Sequence, residues 1–191
     1  MSRPKPIRSG DLTIRPEEPA DAAQVTALHA EAFQDDRVPR LVAALRAAPA
    51  PLPPQGFVAT TGGEIVGHVL TSAARLDAPR RIVDVRTLSP LGVLPGHQRR
   101  GIGTLLLAQA IRHADATGVP LLFLEGDPGY YRDRGFQPAG PLGFRKPSLR
   151  IPDAAFQVIR LHAHEPWMTG TLVYPDPFWA NDCVGLRDHH D

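Results

Sequence analysis

Residues 98–103, Gln-Arg-Arg-Gly-Ile-Gly, have the types and spacing needed to hold a phosphate group. The first amides of a helix have no partner inside it and lie at the positive end of its dipole, so they attract anions. Gly101 and Gly103 have no β-carbon, which lets a bulky anion come close to the main chain. Arg99 and Arg100 add positive charge at the same place. The stretch is therefore predicted to bind phosphate.

The neighbouring segments supply the two elements that such a turn needs. An apolar run at residues 91–94 is stopped by Pro95 and Gly96, as expected of a strand that leads into a loop. After the turn, apolar residues recur at helical spacing: Ile102, Leu105, Leu106, Ala110, Ile111 and Ala114. A solvated basic turn at an ordinary helix start is the alternative interpretation of the six residues taken alone.

Two common phosphate-binding patterns do not fit this turn. A P-loop requires Gly-Lys-Ser/Thr, and no Lys follows Gly101 or Gly103; a dinucleotide-binding turn requires GxGxxG, and position 106 is Leu. The stretch instead resembles the Gln/Arg-x-x-Gly-x-Gly/Ala motif of the GNAT-type N-acetyltransferase superfamily. The resemblance implies that acetyl-coenzyme A is the cosubstrate and that its diphosphate is held at Gln98, Arg99, Arg100, Gly101, Ile102, Gly103 and Thr104.

A second motif, Gly-Asp-Pro-Gly-Tyr-Tyr-Arg-Asp-Arg-Gly-Phe at residues 126–136, follows an apolar strand. It resembles the Tyr-x-x-x-Gly-Phe segment of the same superfamily and, more narrowly, a YhbS-like bacterial subgroup, over about residues 12–161. The resemblance implies that the phenol of Tyr131 faces the coenzyme sulfur. A phenol is protonated at neutral pH, so it can donate a proton to a departing thiolate. A ring that only packs beside Phe136 is the alternative for Tyr131, and Tyr130 is the rival for the exposed position.

Attack on a thioester needs a neutral amine, and an amine like that of lysine, with a pKa of about 10.4, is neutral in only about one molecule in 10³ at pH 7. A carboxylate, directly or through a water, helps to remove the proton. Glu125, at the end of the strand before the second motif, is the leading candidate for this base. Asp127 either shares this role or starts the following turn, and Glu31 and Asp84 are weaker alternatives.

The strand before the phosphate turn is expected to contact the coenzyme through its main chain. By resemblance, Leu91, Gly92 and Val93 pair with the pantetheine arm like an added strand. Gly92 would allow close approach or mark a bulge. Val93 is the expected main-chain donor to the acetyl oxygen, as in an oxyanion hole.

The order of elements predicts an α/β fold. A strand from Leu12 is followed by helices with apolar faces at Val25, Leu28, Ala32, Phe33 and at Val38, Leu41, Val42, Leu45. Runs at residues 57–60 and 65–70 around Gly62-Gly63 indicate a hairpin, a loop spans 75–81, and a longer strand spans about 82–94. The helix after residue 101 connects the fourth strand to a buried fifth strand at 119–125 and makes the two parallel. The order resembles the GNAT acyl-CoA N-acyltransferase fold, a mixed and mostly antiparallel sheet flanked by helices.

We divide the chain into a flexible N-terminus at residues 1–9, an N-acetyltransferase domain at 10–165 and an aromatic C-terminal extension at 166–191. The extension includes Trp167, Tyr174, Phe178 and Trp179, and it is expected to pack on the same domain over the sheet edge. A wall of the acceptor pocket and a dimer face are its alternative roles. His189 and His190 are expected to be disordered.

The charge, cysteine and histidine content of the chain limits the kinds of partner and metal that we expect. The net charge is +1 with histidines neutral, so neither nucleic acid nor an anionic membrane is expected as a partner. Cys183 is the only cysteine, which excludes an internal disulfide and favours a cytoplasmic location. His162 and His164 could share one face of a strand, but no third ligand lies at recognisable spacing, so no metal site is predicted.

The sequence thus predicts transfer of an acetyl group from acetyl-coenzyme A to a primary amine, on a small molecule or a peptide N-terminus, by direct attack. A non-catalytic acyl-coenzyme A-binding protein and an acyltransferase for longer chains are the alternatives. The acceptor is not determined by the residues, because loops shape its pocket. A homodimer is left open.

Overall fold

Nine β-strands form one mixed sheet in the computed structural model, which describes residues 12–187. The strands are β1 Leu12–Pro16, β2 Gln55–Thr61, β3 Glu64–Asp77, β4 Ile82–Val93, β5 Leu121–Glu125, β6 Gln137–Pro138, β7 Phe144–Arg145, β8 Phe156–Arg160 and β9 Gly170–Val173. The helices are α1 Ala22–Phe33, α2 Arg37–Ala47, α3 Ile102–Ala116, α4 Pro128–Tyr131 and α5 Asp176–Ala180. The N-terminal residues 1–9 and the pair His189-His190, for which we made predictions, lie outside the described residues.

The strand order is β1-β2-β3-β4-β5-β8-β6, and β9 adds to the far end of β3 and to β7. As predicted, β4 and β5 are parallel and most other pairs are antiparallel. The β4–β5 register contains only Arg86↔Leu122 and Thr87↔Phe123, although β4 continues to Val93 and β5 to Glu125. The two strands therefore separate beyond Thr87 and leave a gap at the middle of the sheet.

Helices cover the two faces of the sheet at this gap. A β-carbon on Gly67 of β3 would lie 2.9 Å from Ile102 and from Leu106, so α3 packs tightly on that face. On the opposite face, a β-carbon on Gly92 of β4 would lie 2.8 Å from the ring of His29, which belongs to α1. The core under α3 consists of apolar side chains of α3 and of strands β2 to β5. Residues from α3 and α1 are thus brought to opposite sides of one opening.

Two local predictions were wrong, and one strand was not predicted. The segment from residue 75 is not a loop up to 81, because β3 continues to Asp77 through pairing with Ile82 of β4 and with β9. Phe33 is not on the buried face of α1: it is 41% exposed, and His29 occupies that face instead. The tail after residue 166 contains a strand, β9, which sequence patterning did not reveal.

A chain of buried polar groups joins α1 to the sheet. Nε2 of His29 lies 2.7 Å from Nδ1 of His68, and Nε2 of His68 lies 3.2 Å from a carboxylate oxygen of Glu17. Glu17 in turn pairs with Arg46 of α2. Burial lowers the pKa of His29 to about 3 and also lowers the pKa of His68. Both rings are therefore neutral in the folded protein at neutral pH.

This pair predicts a loss of stability in mild acid. Histidine in the unfolded chain has a pKa of about 6.5, so below this pH it is protonated while the two buried histidines of the folded protein stay neutral. The free energy of unfolding therefore decreases as the pH is lowered, by up to about 1.4 kcal/mol per pH unit for each histidine. Urea unfolding between about pH 7 and pH 4 measures this slope. The variant His29→Gln should show a shallower slope, whereas the exposed control His162→Gln should not. Equal slopes in all three proteins would contradict the assignment.

Candidate functional site

The turn between β4 and α3 has the backbone that its glycine spacing suggested. Arg99 (φ +59°) and Gly101 (φ +82°) both adopt left-handed conformations, and Gly101 is the N-cap of α3. Such dihedrals favour glycine, so Gly101 relieves strain at the point where the helix begins. The side-chain amide of Gln98 donates to the carbonyl of Val93 at 3.1 Å and ties the turn to the end of β4. The first residue of the motif therefore has a positioning contact.

The first amides of α3 have no partner within the helix. The first bond into the helix runs from the amide of Leu105 to the carbonyl of Gly101 at 3.0 Å, after the amides of Ile102, Gly103 and Thr104. These amides lie at the positive end of the dipole of α3. A β-carbon on Gly103 would lie 2.5 Å from the phenol oxygen of Tyr130, so glycine lets Tyr130 lie against the first turn of the helix.

Arg134 joins this helix start from the second motif. Its guanidinium donates to Oγ1 of Thr104 at 2.9 Å and to the carbonyl of Tyr130, and it lies 3.9 Å from the centre of the Tyr130 ring. The side chain thus adds a positive charge beside the first turn of α3. Arg134 was not among the predicted residues, although its place three residues after Tyr131 in the second motif was a usable signal.

The turn opens into a cavity of about 730 Å³, which we call the α3 cavity. Nine of the residues predicted to form the site line it: Leu91, Val93, Gln98, Arg99, Gly101, Ile102, Gly103, Thr104 and Tyr131. Glu125 lines it as well. Arg100 and Gly92 do not, and Gly92 instead faces α1. The fold therefore brings the two sequence motifs to one opening.

The main chain of β4 faces this opening at alternate residues. Leu94 donates to Val66 of β3, and antiparallel ladders alternate the direction of their hydrogen-bonding groups. The main-chain groups of Val93 and Leu91 therefore point away from β3 and into the gap. Those of Gly92 point toward β3.

A second cavity of about 420 Å³, the α2 cavity, lies on the other side of the gap. Its walls are mostly apolar and aromatic, with charged groups at Asp35, Arg37, Glu125 and Asp182. Phe33, Leu91, Glu125 and Tyr131 line both cavities. These four residues mark the junction at which a molecule in one cavity meets a molecule in the other.

Glu125 ends β5 at this junction. Its Oε2 accepts a hydrogen bond from the amide of Gly185 at 2.9 Å. Burial raises the pKa of the Glu125 carboxyl, and hydrogen bonds from Tyr174 and Gly185, with the nearby charge of Arg150, oppose that rise. A carboxyl with a raised pKa is a stronger base than an exposed one. Glu125 therefore combines the place and the chemistry needed to accept a proton.

Tyr131 ends α4 on the same junction. A β-carbon at residue 126 would lie 2.4 Å from its ring, so Gly126 makes the space that the ring occupies. Its other neighbour is Phe136, edge to face at 5.8 Å. Burial raises the pKa of Tyr131 to about 12, so the phenol is protonated at neutral pH. Tyr130 lines the α3 cavity but not the α2 cavity.

The carboxylates that we considered as alternative bases lie outside the junction or already accept another hydrogen bond. The side chain of Asp127 accepts from the amide of Gly129 at 2.9 Å and caps α4, as one of our two interpretations expected. Glu31 and Asp84 are exposed and line neither cavity. Glu125 is thus the one candidate base that lines both.

Two residues of the α2 cavity were not predicted from the sequence, Phe33 and Gly185. Tyr174 and Phe178 also line this cavity, and a pocket wall was one of the alternative roles that we gave to the aromatic tail. Trp167, which has Arg80 and Arg81 over its ring, does not line the cavity.

Within residues 12–187, no three His, Cys, Asp or Glu side chains are grouped so that they could hold a metal ion. Over the same residues, none of the helices has the length and apolar character needed to cross a bilayer.

The mixed sheet with parallel β4 and β5 is the architecture of the GNAT acetyltransferases, and the chain belongs to the GNAT acetyltransferase family: residues 13–139 match the model of the acetyltransferase (GNAT) domain. It is 30% identical over 162 residues to the uncharacterized N-acetyltransferase YjhQ of Escherichia coli K12, covering 83% of this chain and 89% of that protein. The predicted family is therefore confirmed.

Solved structures agree with this assignment. YhbS from Escherichia coli, a GNAT family N-acetyltransferase in complex with CoA, aligns with a TM-score of 0.77 and 27% identity over 88% of this chain and 92% of that one. A GNAT family acetyltransferase from Brucella melitensis in complex with acetyl-CoA aligns with a TM-score of 0.70 and 28% identity over 87% of this chain and 97% of that one. The predicted GNAT fold and the likeness to YhbS are confirmed.

Proposed function

We propose that the protein transfers the acetyl group of acetyl-coenzyme A to a primary amine by direct attack, with the coenzyme in the α3 cavity and the amine in the α2 cavity. The junction formed by Phe33, Leu91, Glu125 and Tyr131 is the observation on which this proposal depends. Two bound substrates can react directly only where their sites meet, and these cavities share a wall that holds both a candidate base and a candidate acid.

The α3 cavity fits the coenzyme. Its diphosphate would lie on the first-turn amides of Ile102, Gly103 and Thr104, with Arg134 beside them. Its pantetheine arm would run in the gap between β4 and β5, against the outward-facing main chain of Leu91 and Val93. The two related structures that contain CoA or acetyl-CoA support this assignment. When bound, the coenzyme supplies an acetyl thioester, which is open to attack by a neutral amine.

Each reactive residue then has one task. Glu125 takes a proton from the incoming ammonium group, so that the amine nitrogen can bond to the acetyl carbon. The amide of Val93 donates a hydrogen bond to the acetyl oxygen as negative charge develops on it. Tyr131 gives its proton to the sulfur as the carbon–sulfur bond breaks, and the second proton that the nitrogen loses on becoming an amide returns to the phenolate. The proton held by Glu125 is released to water. The products are an N-acetyl amine and the free thiol of the coenzyme.

The first test combines turnover with coenzyme binding. Release of thiol and formation of an acetylated product should depend on both acetyl-coenzyme A and an amine, in a panel that includes arylalkylamines, polyamines, amino acids and peptides.

Arg134→Gln should weaken acetyl-coenzyme A binding by about tenfold or more, because a charge-assisted contact to phosphate is lost.

Arg112→Gln is the matched control, since it removes an equal charge from an exposed site on α3 that is away from the first turn of the helix. Titration calorimetry measures both variants. Equal affinities for the two variants would contradict the proposed diphosphate site, and acetyl-coenzyme A binding without turnover on any amine would favour a non-catalytic binding protein.

A further inference from the structure

The chain after β9 returns to the centre of the molecule. β9 pairs with the end of β3 through Arg75↔Val173, so the next residue, Tyr174, is delivered to the floor of the α2 cavity. Tyr174 is 4% exposed, and its ring stacks on Phe178 of α5 at 4.7 Å. This phenol is therefore held firmly inside the cavity rather than at the sheet edge.

The chain after α5 is anchored by Asp182. This carboxylate pairs with Arg187 at 2.6 Å, with Arg150 at 3.6 Å and with Arg37 of α2 at 3.7 Å. Two of these partners belong to other parts of the fold. The end of the described chain is thus tied down on both sides of the cavity.

Gly185 then makes a turn that glycine alone suits. Its φ is +63°, and a β-carbon there would lie 2.7 Å from the main-chain carbon of Arg150. The next amide, of Leu186, donates to the carbonyl of Arg150 at 3.1 Å. The turn leaves the amide of Gly185 pointing at Oε2 of Glu125, at 2.9 Å.

We propose that the segment 174–187 is a working part of the acceptor site, in which Tyr174 and the amide of Gly185 are positioning groups that hold the Glu125 carboxylate ionised and aimed at the junction. The inference rests on the proposed function, because it takes Glu125 as the base. It adds residues that lie beyond the 13–139 span of the family domain.

The physical reason is the cost of a buried carboxylate. Moved out of water without partners, a carboxylate takes up a proton and stops being a base. The amide of Gly185, at 2.9 Å, and the phenol of Tyr174 both stabilise its charged form. Burial, together with the charge of Glu125 and the hydrogen bond to it, raises the pKa of Tyr174, so its phenol is protonated at neutral pH.

Other charged and titratable groups near Glu125 also affect the pKa of its carboxyl. The positive charge of Arg150 lowers this pKa. The groups that line the shared cavity are Tyr131 from α4, Asp35 and Arg37 next to and within α2, and Asp182 and Cys183 after α5. Asp35 and Asp182 are each paired with arginine, so they contribute little net repulsion toward Glu125.

The variant Tyr174→Phe tests the proposal, because it removes one hydroxyl and keeps the ring. Without that donor, the pKa of Glu125 should rise by about one unit. The acidic limb of the kcat/KM profile should move to higher pH by the same amount, with activity recovering toward the wild-type value above it. Acetyl-coenzyme A affinity, measured by calorimetry, should not change. Titration of the Glu125 carboxyl by carbon-13 NMR in the free protein gives the pKa without turnover.

Trp167→Phe is the control, since Trp167 lies in the same tail and contacts Glu165 rather than Glu125. It should leave the limb and the NMR titration in place. If Tyr174→Phe changed neither the acidic limb of the kcat/KM profile nor the pKa of Glu125 measured by NMR, the inference would be overturned and the proposed function would stand. Full activity in Glu125→Gln would instead remove Glu125 as the base, and with it the premise.

Discussion

Glu125→Gln should lower kcat/KM by about 10²- to 10⁴-fold, the usual contribution of a general base. The amide keeps the shape of the side chain and can still accept from Gly185, but it cannot take up a proton at neutral pH. Acetyl-coenzyme A should bind with unchanged affinity, because the proposed diphosphate site, at the first turn of α3, does not include Glu125. Steady-state rates and calorimetry together measure the separation of binding from turnover.

The same variant should not lose stability at neutral pH. The folded pKa of Glu125 is raised above its unfolded value, so above the unfolded pKa the folded chain binds more protons than the unfolded chain and stability falls as pH rises through that window. The neutral amide avoids this cost, and thermal unfolding at pH 7 should show a Tm at or above that of the wild type.

Glu31→Gln provides the matched control, an identical change on the exposed side of α1. It should leave both turnover and Tm as they are. A loss of turnover in Glu31→Gln equal to that in Glu125→Gln would show that the effect is not specific to the junction.

Tyr131→Phe should lower kcat by about 10²- to 10³-fold while the KM for acetyl-coenzyme A stays nearly constant. The ring still fills the space beside Gly126 and packs on Phe136, so only the proton donor is lost. Because burial raises the pKa of Tyr131 to about 12, the wild-type enzyme should show no loss of this donor below about pH 10.

Tyr130→Phe distinguishes the two adjacent tyrosines. Tyr130 lines only the α3 cavity, so its change should affect coenzyme binding more than kcat. If Tyr131→Phe kept its kcat within about twofold of the wild type, or if Tyr130→Phe lost more, the acid assignment would move to Tyr130 or to solvent.

The turn between β4 and α3 was predictable because its signals are local. Glycine at 101 and 103, a strand that stops at Pro95 and an apolar helical face all act within about 25 residues, and they led to the observed strand, turn and helix. The role of Tyr131 came from the resemblance of the second motif to the family segment, and that of Glu125 from its place at the end of β5. Both roles stay proposals until the variants are measured.

The make-up of the α2 cavity was only partly predictable, since its residues are far apart in the chain. Tyr174 and Gly185 line the same cavity as Glu125 because β9 adds to the far end of β3 and Asp182 pairs with Arg37 and Arg150. Helical periodicity placed Phe33 inside the core, but the left-handed turn at Gln34 ends α1 and leaves Phe33 at the cavity.

The amino-acid sequence by itself determined the family and the order of strands and helices up to β5, because both depend on short-range motifs and on patterns of glycine and apolar residues. Only the tertiary structure decided that two cavities meet at Glu125 and Tyr131 and that the tail completes one of them. The physical reason is that β4 and β5 stop pairing after Thr87 and Phe123, and the gap left there is filled by side chains from distant segments.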